Sequence, residues 1–208
     1  MREPSRSAAV GRMPLFPLQT VLFPGARLSL KVFEARYLDL ISRCLREQRP
    51  FGVVCLRQGV EVGAGQPVQL EGTGVLAHLD EVDAEQSGIL RVQCTGGHRF
   101  ELTAAAQDDQ GLWSADATML DDDPALAPDM ALLPAVKALA NAIGSLERQQ
   151  GSPFHKPYRF DDAGWVANRW CELLPVSLAA KQKLMELDDP QARLRLVSDF
   201  LRSKGVVQ

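Results

Sequence analysis

The prevailing hydrophobic period of this chain changes across DDDPALAPD at residues 121–129, and that change limits the folds open to it. Upstream, short segments alternate apolar and polar side chains, the period of a half-buried strand. Downstream, apolar residues recur every three or four positions, the period of an amphipathic helix. Three adjacent carboxylates and two prolines between such regions mark an expected linker. The predicted organisation is a disordered tail over 1–12, a strand-rich lobe over 13–120, a linker over 121–129 and a helical lobe over 130–208.

In the first lobe RLSLKV at Arg27 to Val32 reads as a strand entered through the turn residues FPG, Phe23 to Gly25. A helix of about fourteen residues is expected over Glu34 to Glu47, with Tyr37, Leu38, Ile41, Cys44 and Leu45 on its buried face and Pro50 as its stop. FGVVCLR, GTGVLAHLDEV, ILRVQCT, RFELTAA and LWSADATML read as further short strands. Gly72 and Gly74 fall where a strand starts, as expected where a backbone bends or a second strand approaches closely. Many short strands with one helix suggest a small, twisted β-barrel or pseudo-barrel.

In the second lobe Leu132, Leu133, Val136, Leu139, Ala140, Ile143 and Leu146 keep helical spacing, as do Ala163, Val166, Ala167, Trp170, Leu173 and Leu174. Two shorter helices are expected after Ser177 and after Pro190, the last with Leu194, Val197, Phe200 and Leu201 on one stripe. That makes a C-terminal bundle of about four helices.

No apolar run approaches the ~20 residues that would span a bilayer, so no membrane partner is expected. Residues 1–12 lack the apolar segment of a secretory signal. Cys44, Cys55, Cys94 and Cys171 are widely spaced with no CxxC pair, which argues against a zinc site, and three of them sit in apolar stretches, as expected of reduced core thiols in a cytoplasmic protein. A net charge of −3 without a dense basic run disfavours nucleic acid, whose phosphates demand clustered Lys and Arg.

Three stretches carry a family resemblance: MPLFPLQTVLFPGARLSLKVFEARY from Met13, GTGVLAHLDEV leading into GGHRFEL at Gly96 to Leu102, and LPVSLAAKQKLMELDDPQARL at Leu174 to Leu194. In that order the chain resembles, from Met13 to Leu201, the N-terminal substrate-binding domain of the ATP-dependent Lon proteases. The resemblance implies a six-stranded PUA-like pseudo-barrel with one inserted helix, a helical bundle after it, and recognition of unfolded or tagged protein substrates. It implies turns shaped by Pro14, Pro17, Pro24, Gly25 and Gly72, and a barrel filled by Phe16, Leu18, Leu28, Leu30 and Phe33. GTGV departs from the GTVA usual in the family, which touches local strand geometry. Catalysis in Lon belongs to ATPase and peptidase modules beyond the region of similarity, and a chain ending at Gln208 is expected to lack both.

The residues agree with that expectation. No GxxxxGK[ST] loop occurs, and the glycine-rich GVEVGAGQ at Gly59 to Gln66 lacks the lysine that cradles phosphates. Ser177 and Lys181 have the one-turn spacing of a Ser–Lys dyad, but Ser177 opens an apolar-periodic segment and reads as a helix cap. His78, His98 and His155 lack ligand spacing; Asp161 with Asp162 and Asp188 with Asp189 precede helices and read as caps. No metal and no cofactor are expected. Phe154, Tyr158, Phe160, Trp165 and Trp170 crowd seventeen residues, either as loop packing or as a peptide-binding rim with the first four as its contacts.

The sequence therefore reads as a non-catalytic module for unfolded or extended polypeptide that presents its cargo to a protease or chaperone. Two alternatives stay open: an RNA-binding PUA-like module, and a cryptic Ser–Lys hydrolase.

Overall fold

The computed structural model describes residues 9–58 and 68–207, so the tail up to residue 8 and GVEVGAGQ lie outside the described residues. Backbone packing divides the chain into a unit ending at Asp122 and a unit starting at Asp123.

The first unit holds β1 (Ala9–Leu18), β2 (Arg27–Val32), α1 (Ala35–Glu47), β3 (Phe51–Gln58), β4 (Gln69–Gln86), β5 (Ile89–Gln107) and β6 (Trp113–Met119). The strands run β2-β5-β4-β3-β1-β6, and a further β5–β6 pairing turns the sheet back on itself. β2 is left appended to β5, so the sheet is not a regular barrel. ILRVQCT and RFELTAA are one strand, because β5 passes without a turn from β2, paired at Leu90 to Thr95, to β6, paired from Phe100 on. Gly96 and Gly97 make this passage possible: a Cβ would lie 2.3 Å from the Phe23 carbonyl oxygen at Gly96 and 2.5 Å from His78 Nε2 at Gly97.

Met13, Leu15, Val54, Leu76, Phe100, Ala115 and Ala117 form a buried apolar core. The Phe100 ring presses on Gly74, where a Cβ would sit 2.6 Å from Cζ and 2.5 Å from the Val53 carbonyl oxygen. Gly74, the second glycine of GTGV, is thus required by close approach.

Several expectations need correction. Residues 9–12 of the expected tail are strand, held by β6 through pairs such as Arg12↔Asp116. Pro14 and Pro17 shape no turn. They lie inside β1, where it changes partners: β6 is paired up to Leu15 and β3 from Leu15, so neither proline interrupts a long ladder. Gly72 lies within β4. Pro24 and Gly25 do form the turn, with Gly25 at φ +73° and the Ala26 N–H donating to the Phe23 carbonyl at 3.0 Å.

Of the expected barrel fillers, Phe16, Leu18 and Leu30 are buried and Leu28 is half-buried, but Phe33 is 51% exposed. Side chains alternate across a strand, so the parity that turns Leu28, Leu30 and Val32 inward turns Phe33 out. On α1 the buried face is Tyr37, Leu40, Ile41 and Cys44, while Leu45 is exposed and Leu38 half-buried. This face is centred on an i, i+3, i+4, i+7 stripe. The helix ends before Pro50, at Gln48 in the left-handed region, with the Arg49 N–H bonded to the Cys44 carbonyl at 3.1 Å.

The second unit has a 3-10 turn (Met130–Leu132), then α2 (Leu133–Gln150), α3 (Ala163–Leu173), α4 (Leu178–Glu186) and α5 (Pro190–Ser203). Each of the last three starts at a side-chain cap. Asp162 accepts from the Trp165 N–H, Ser177 from Ala180, and Asp189 from Gln191 and Ala192. The buried stripe entering α2 is Leu132, Ala135, Leu139 and Ile143, with the expected Leu133 exposed. α3 is the central helix: Val166, Ala167, Trp170 and Cys171 are buried, and the Trp170 indole N–H donates to the Ala135 carbonyl at 3.0 Å.

Arg193 on α5 is 1% exposed. It donates to both carboxylate oxygens of Asp123, to Asn168 Oδ1 at 3.0 Å, and to the carbonyls of Leu184 and Leu187. The expected linker is anchored within this unit too, the Ala163 N–H donating to the Leu126 carbonyl and the Gln191 side-chain amide to that of Ala127.

Candidate functional site

The four aromatic residues singled out in the sequence come together. Trp165, in the first turn of α3, is the hub: its ring centroid lies 6.3 Å from Phe154, 5.9 Å from Tyr158 and 5.4 Å from Phe160. The cis Lys156–Pro157 bond lies in the loop that carries Phe154 and Tyr158. Phe154 is 4% exposed, so it supports the cluster from below, with the Arg169 guanidinium 5.3 Å from its ring centroid. Tyr158, Phe160 and Trp165 are half-buried and keep an open edge. The Tyr158 hydroxyl donates to Glu147 Oε1 at 2.8 Å and lies 2.6 Å from Ser152 Oγ, which fixes the ring. The arrangement is a rigid aromatic shelf, suited to apolar contact at low entropic cost.

Ser177 and Lys181 form no dyad. Ser177 Oγ accepts from the Ala180 N–H at 3.2 Å, while Lys181 Nζ donates to the Glu172 carbonyl at 3.1 Å. His98 Nδ1 lies 2.7 Å from Asp122 Oδ1 at an exposed position. All four cysteines are buried free thiols, and burial pushes Cys94 and Cys171 up to about 12, where neither is a nucleophile at neutral pH. The strongest electrostatic feature is internal. Glu172 Oε1 sits 2.6 Å from the Arg169 guanidinium, and burial, partly offset by Arg169 and Lys181, pushes the carboxyl up to about 7.

Two apolar depressions are lined by residues that the sequence reading assigned to the interior or left without a role, none of them as a binding residue. In the first unit, a groove of about 280 Å³ runs between β1 and β2, lined among others by Phe16, Leu18, Leu28, Leu30 and Tyr37, with Phe33 at its end. Phe16 and Tyr37 stack as its floor, centroids 4.0 Å apart. The available signal was parity, because a phenylalanine one step past Val32 must face out. In the second unit, a groove of about 500 Å³ between α4 and α5 is lined by Val176, Leu184, Leu187, Leu196 and Phe200, with Lys183 as its charged member. Leu184 is half-buried, as is Phe200 of the expected stripe Leu194, Val197, Phe200 and Leu201, and Leu196, which that stripe leaves out, is 55% exposed.

Among the described residues no helix is long and apolar enough to cross a membrane. Comparison with known proteins adds the family. Over 94% of its length the chain is 26% identical to Lon protease 2 of Herpetosiphon aurantiacus, and over 93% it is 22% identical to the Lon protease of Haemophilus influenzae. It spans only 24% of the length of either relative. A crystal structure of a Lon N-terminal domain protein from Xanthomonas campestris superposes with a TM-score of 0.69 at 31% identity, over 91% of this chain and 98% of that one. The N-terminal domain of a Mycobacterium avium complex Lon protease shares the fold at a TM-score of 0.61 and 16% identity, over 90% of this chain and 96% of that one. Residues 12–203 match the model of the ATP-dependent protease La (LON) substrate-binding domain, and the chain belongs to that family.

Proposed function

We propose that this chain recognises polypeptide substrates, binding unfolded or extended apolar segments, and carries out no catalysis itself. The observation that carries the reading is the match of residues 12–203 to a substrate-binding domain. The shelf of Tyr158, Phe160 and Trp165 supports it, being preformed, apolar and open at one edge. Ser177 and Lys181 are engaged with backbone groups, which supports a non-catalytic role. We read the folded-back sheet as a PUA-like pseudo-barrel and the setting as cytoplasmic, with a protease or chaperone as the recipient of cargo. RNA binding, a habit of PUA-like barrels, fits poorly with a net charge of −3.

Peptide arrays probed with the intact protein test the reading. Enrichment of apolar sequences is expected, with affinities in the micromolar range or weaker, at about −8 kcal/mol or less favourable. Replacing Tyr158, Phe160 or Trp165 by Ala should weaken the signal. A signal confined to polyanions, collapsing steeply with salt, would instead support RNA binding. Peptide turnover abolished by Ser177→Ala would establish the hydrolase.

A further inference from the structure

The geometry points to the outer edge of β2 as a strand-addition site, where an extended segment with alternating apolar and acidic residues pairs with the sheet. The inference rests on the reading of the chain as a polypeptide-recognition module and names a binding edge and a cargo chemistry for it.

Among the described residues β2 pairs on one side only, with β5. The phase of that pairing is set at its start, where the Gly96 N–H donates to the Ala26 carbonyl at 2.9 Å. The antiparallel register then runs unshifted from Arg27↔Thr95 to Val32↔Leu90. Alternate residues of an antiparallel strand bond the same neighbour, so Leu28, Leu30 and Val32 exchange hydrogen bonds with β5. Ser29 and Lys31 therefore turn their backbone N–H and C=O groups to the opposite side, where among the described residues no backbone partner reaches them. Both line the groove whose far wall is Phe16 and Leu18 of β1. Unpaired donors and acceptors, spaced as a strand spaces them, thus stand beside an apolar depression roomy enough for large side chains. These are the two components of strand addition: backbone bonds for affinity, pockets at alternate positions for selectivity.

Charge fixes the occupant. β2 carries Arg27 and Lys31 on its exposed face and no acid, and Glu34, the acid in the groove's lining, is held by Arg36 at 2.8 Å. The Lys31 side chain is 57% exposed and shares Glu85 with Arg91, two cations to one carboxylate. An added strand places alternate side chains opposite these cations, where acidic residues are favoured. Its other side chains fall toward Leu28 and Leu30. A second copy of β2 would set cation against cation, so self-pairing is disfavoured, as is usual where lysine marks a sheet edge.

Ser29→Pro tests the edge, because it removes one outward N–H from a position whose N–H makes no bond to β5. Ser29→Ala is its control, losing the hydroxyl bond to Gln93 while keeping the N–H. The probe is a fluorescent seven-residue peptide alternating leucine or phenylalanine with glutamate. Ser29→Pro should bind roughly tenfold or more weakly than Ser29→Ala, and Lys31→Glu should lose several-fold against the unchanged protein. In the unchanged protein the Ser29 and Lys31 amides should become protected from hydrogen exchange on adding the peptide, a readout that needs no variant to fold. Unaltered exchange at both amides at saturating peptide, or undiminished binding by folded Ser29→Pro, overturns the edge and leaves polypeptide recognition standing. Binding of unfolded casein with none of the alternating peptide overturns the cargo chemistry in the same way. Absence of binding to peptide and casein alike overturns the recognition reading together with the edge.

Discussion

The two units solve the problem of a dense interior by different means. In the sheet unit the large side chains buried to under 2% exposure are all apolar, with Arg99 at 4% and Glu71 at 9% as its buried charged groups, and its fine structure is steric: the Phe100 ring lies against Gly52 and Gly74, and the backbone of Phe23 against Gly96. In the helical unit the fully buried side chains include two arginines, Arg169 and Arg193, together with Gln182 and Ser198. Burying a charge is costly unless its partners go with it, so that interior depends on complete networks rather than on shape alone. The sheet unit should accordingly be sensitive to added volume and the helical unit to lost partners and to pH.

The largest effect expected is from Arg193→Ala. It takes the two-pronged guanidinium contact from the Asp123 carboxylate and empties the space between α3, α4 and α5, at a cost of about 3–5 kcal/mol. Hydrogen exchange across a denaturant series should show amide protection lost in α3 and α5 well before it is lost in β4 and β5. Coincident loss in both would show that the contrast between the units does not extend to their stability.

The pH dependence of the helical unit comes next. The Glu172 carboxyl is raised from its ordinary 4.5 to about 7, so between those values the folded chain holds a proton that the unfolded chain has released. The associated stability is present in full below pH 4.5 and is lost as pH rises through 7. Relative to Glu172→Gln, the unchanged protein should lose about 2–3 kcal/mol over that window. A difference that stays flat with pH would mean that the Arg169 pair cancels the cost of burial.

Volume is the complementary test in the sheet unit. Gly74→Ala puts a methyl 2.5 Å from the Val53 carbonyl, where the backbone cannot yield cheaply, and should cost about 1–3 kcal/mol with little pH dependence. Gly72→Ala, with nothing within 4 Å of the new methyl, should be close to neutral. Equal costs at the two positions would remove the steric account. The smallest effect expected is from Ser177→Ala, which deletes a cap worth about 1 kcal/mol, measurable as a small fall in midpoint.

What the sequence showed and what it hid follow the range of the interactions. The caps Asp162, Ser177 and Asp189 were legible because each bonds a backbone N–H two or three residues on. β2 was legible from its alternation. β5 was split in two because paired glycines read as a turn, whereas here they let distant groups approach. β1 was missed because residues 9–12 carry no apolar run and Pro14 and Pro17 were expected to shape turns, whereas the change of partner at Leu15 makes both prolines tolerable inside a strand. The Arg193–Asp123 pair spans 70 residues and leaves no local trace. For the candidate site, the aromatic shelf was visible as local crowding, but the buried position of Phe154 was not. The groove beside β2 stayed hidden because its walls come from strands that are not neighbours in the sheet.

Calorimetric titration of the intact protein with carboxymethylated casein, at low and high salt, tests the central claim of polypeptide recognition most directly. The account predicts micromolar or weaker binding with a negative heat-capacity change, only modest weakening by salt, and no cleavage of the casein. Absence of casein binding, alongside tight and steeply salt-dependent binding of a single-stranded RNA in the same cell, would contradict it.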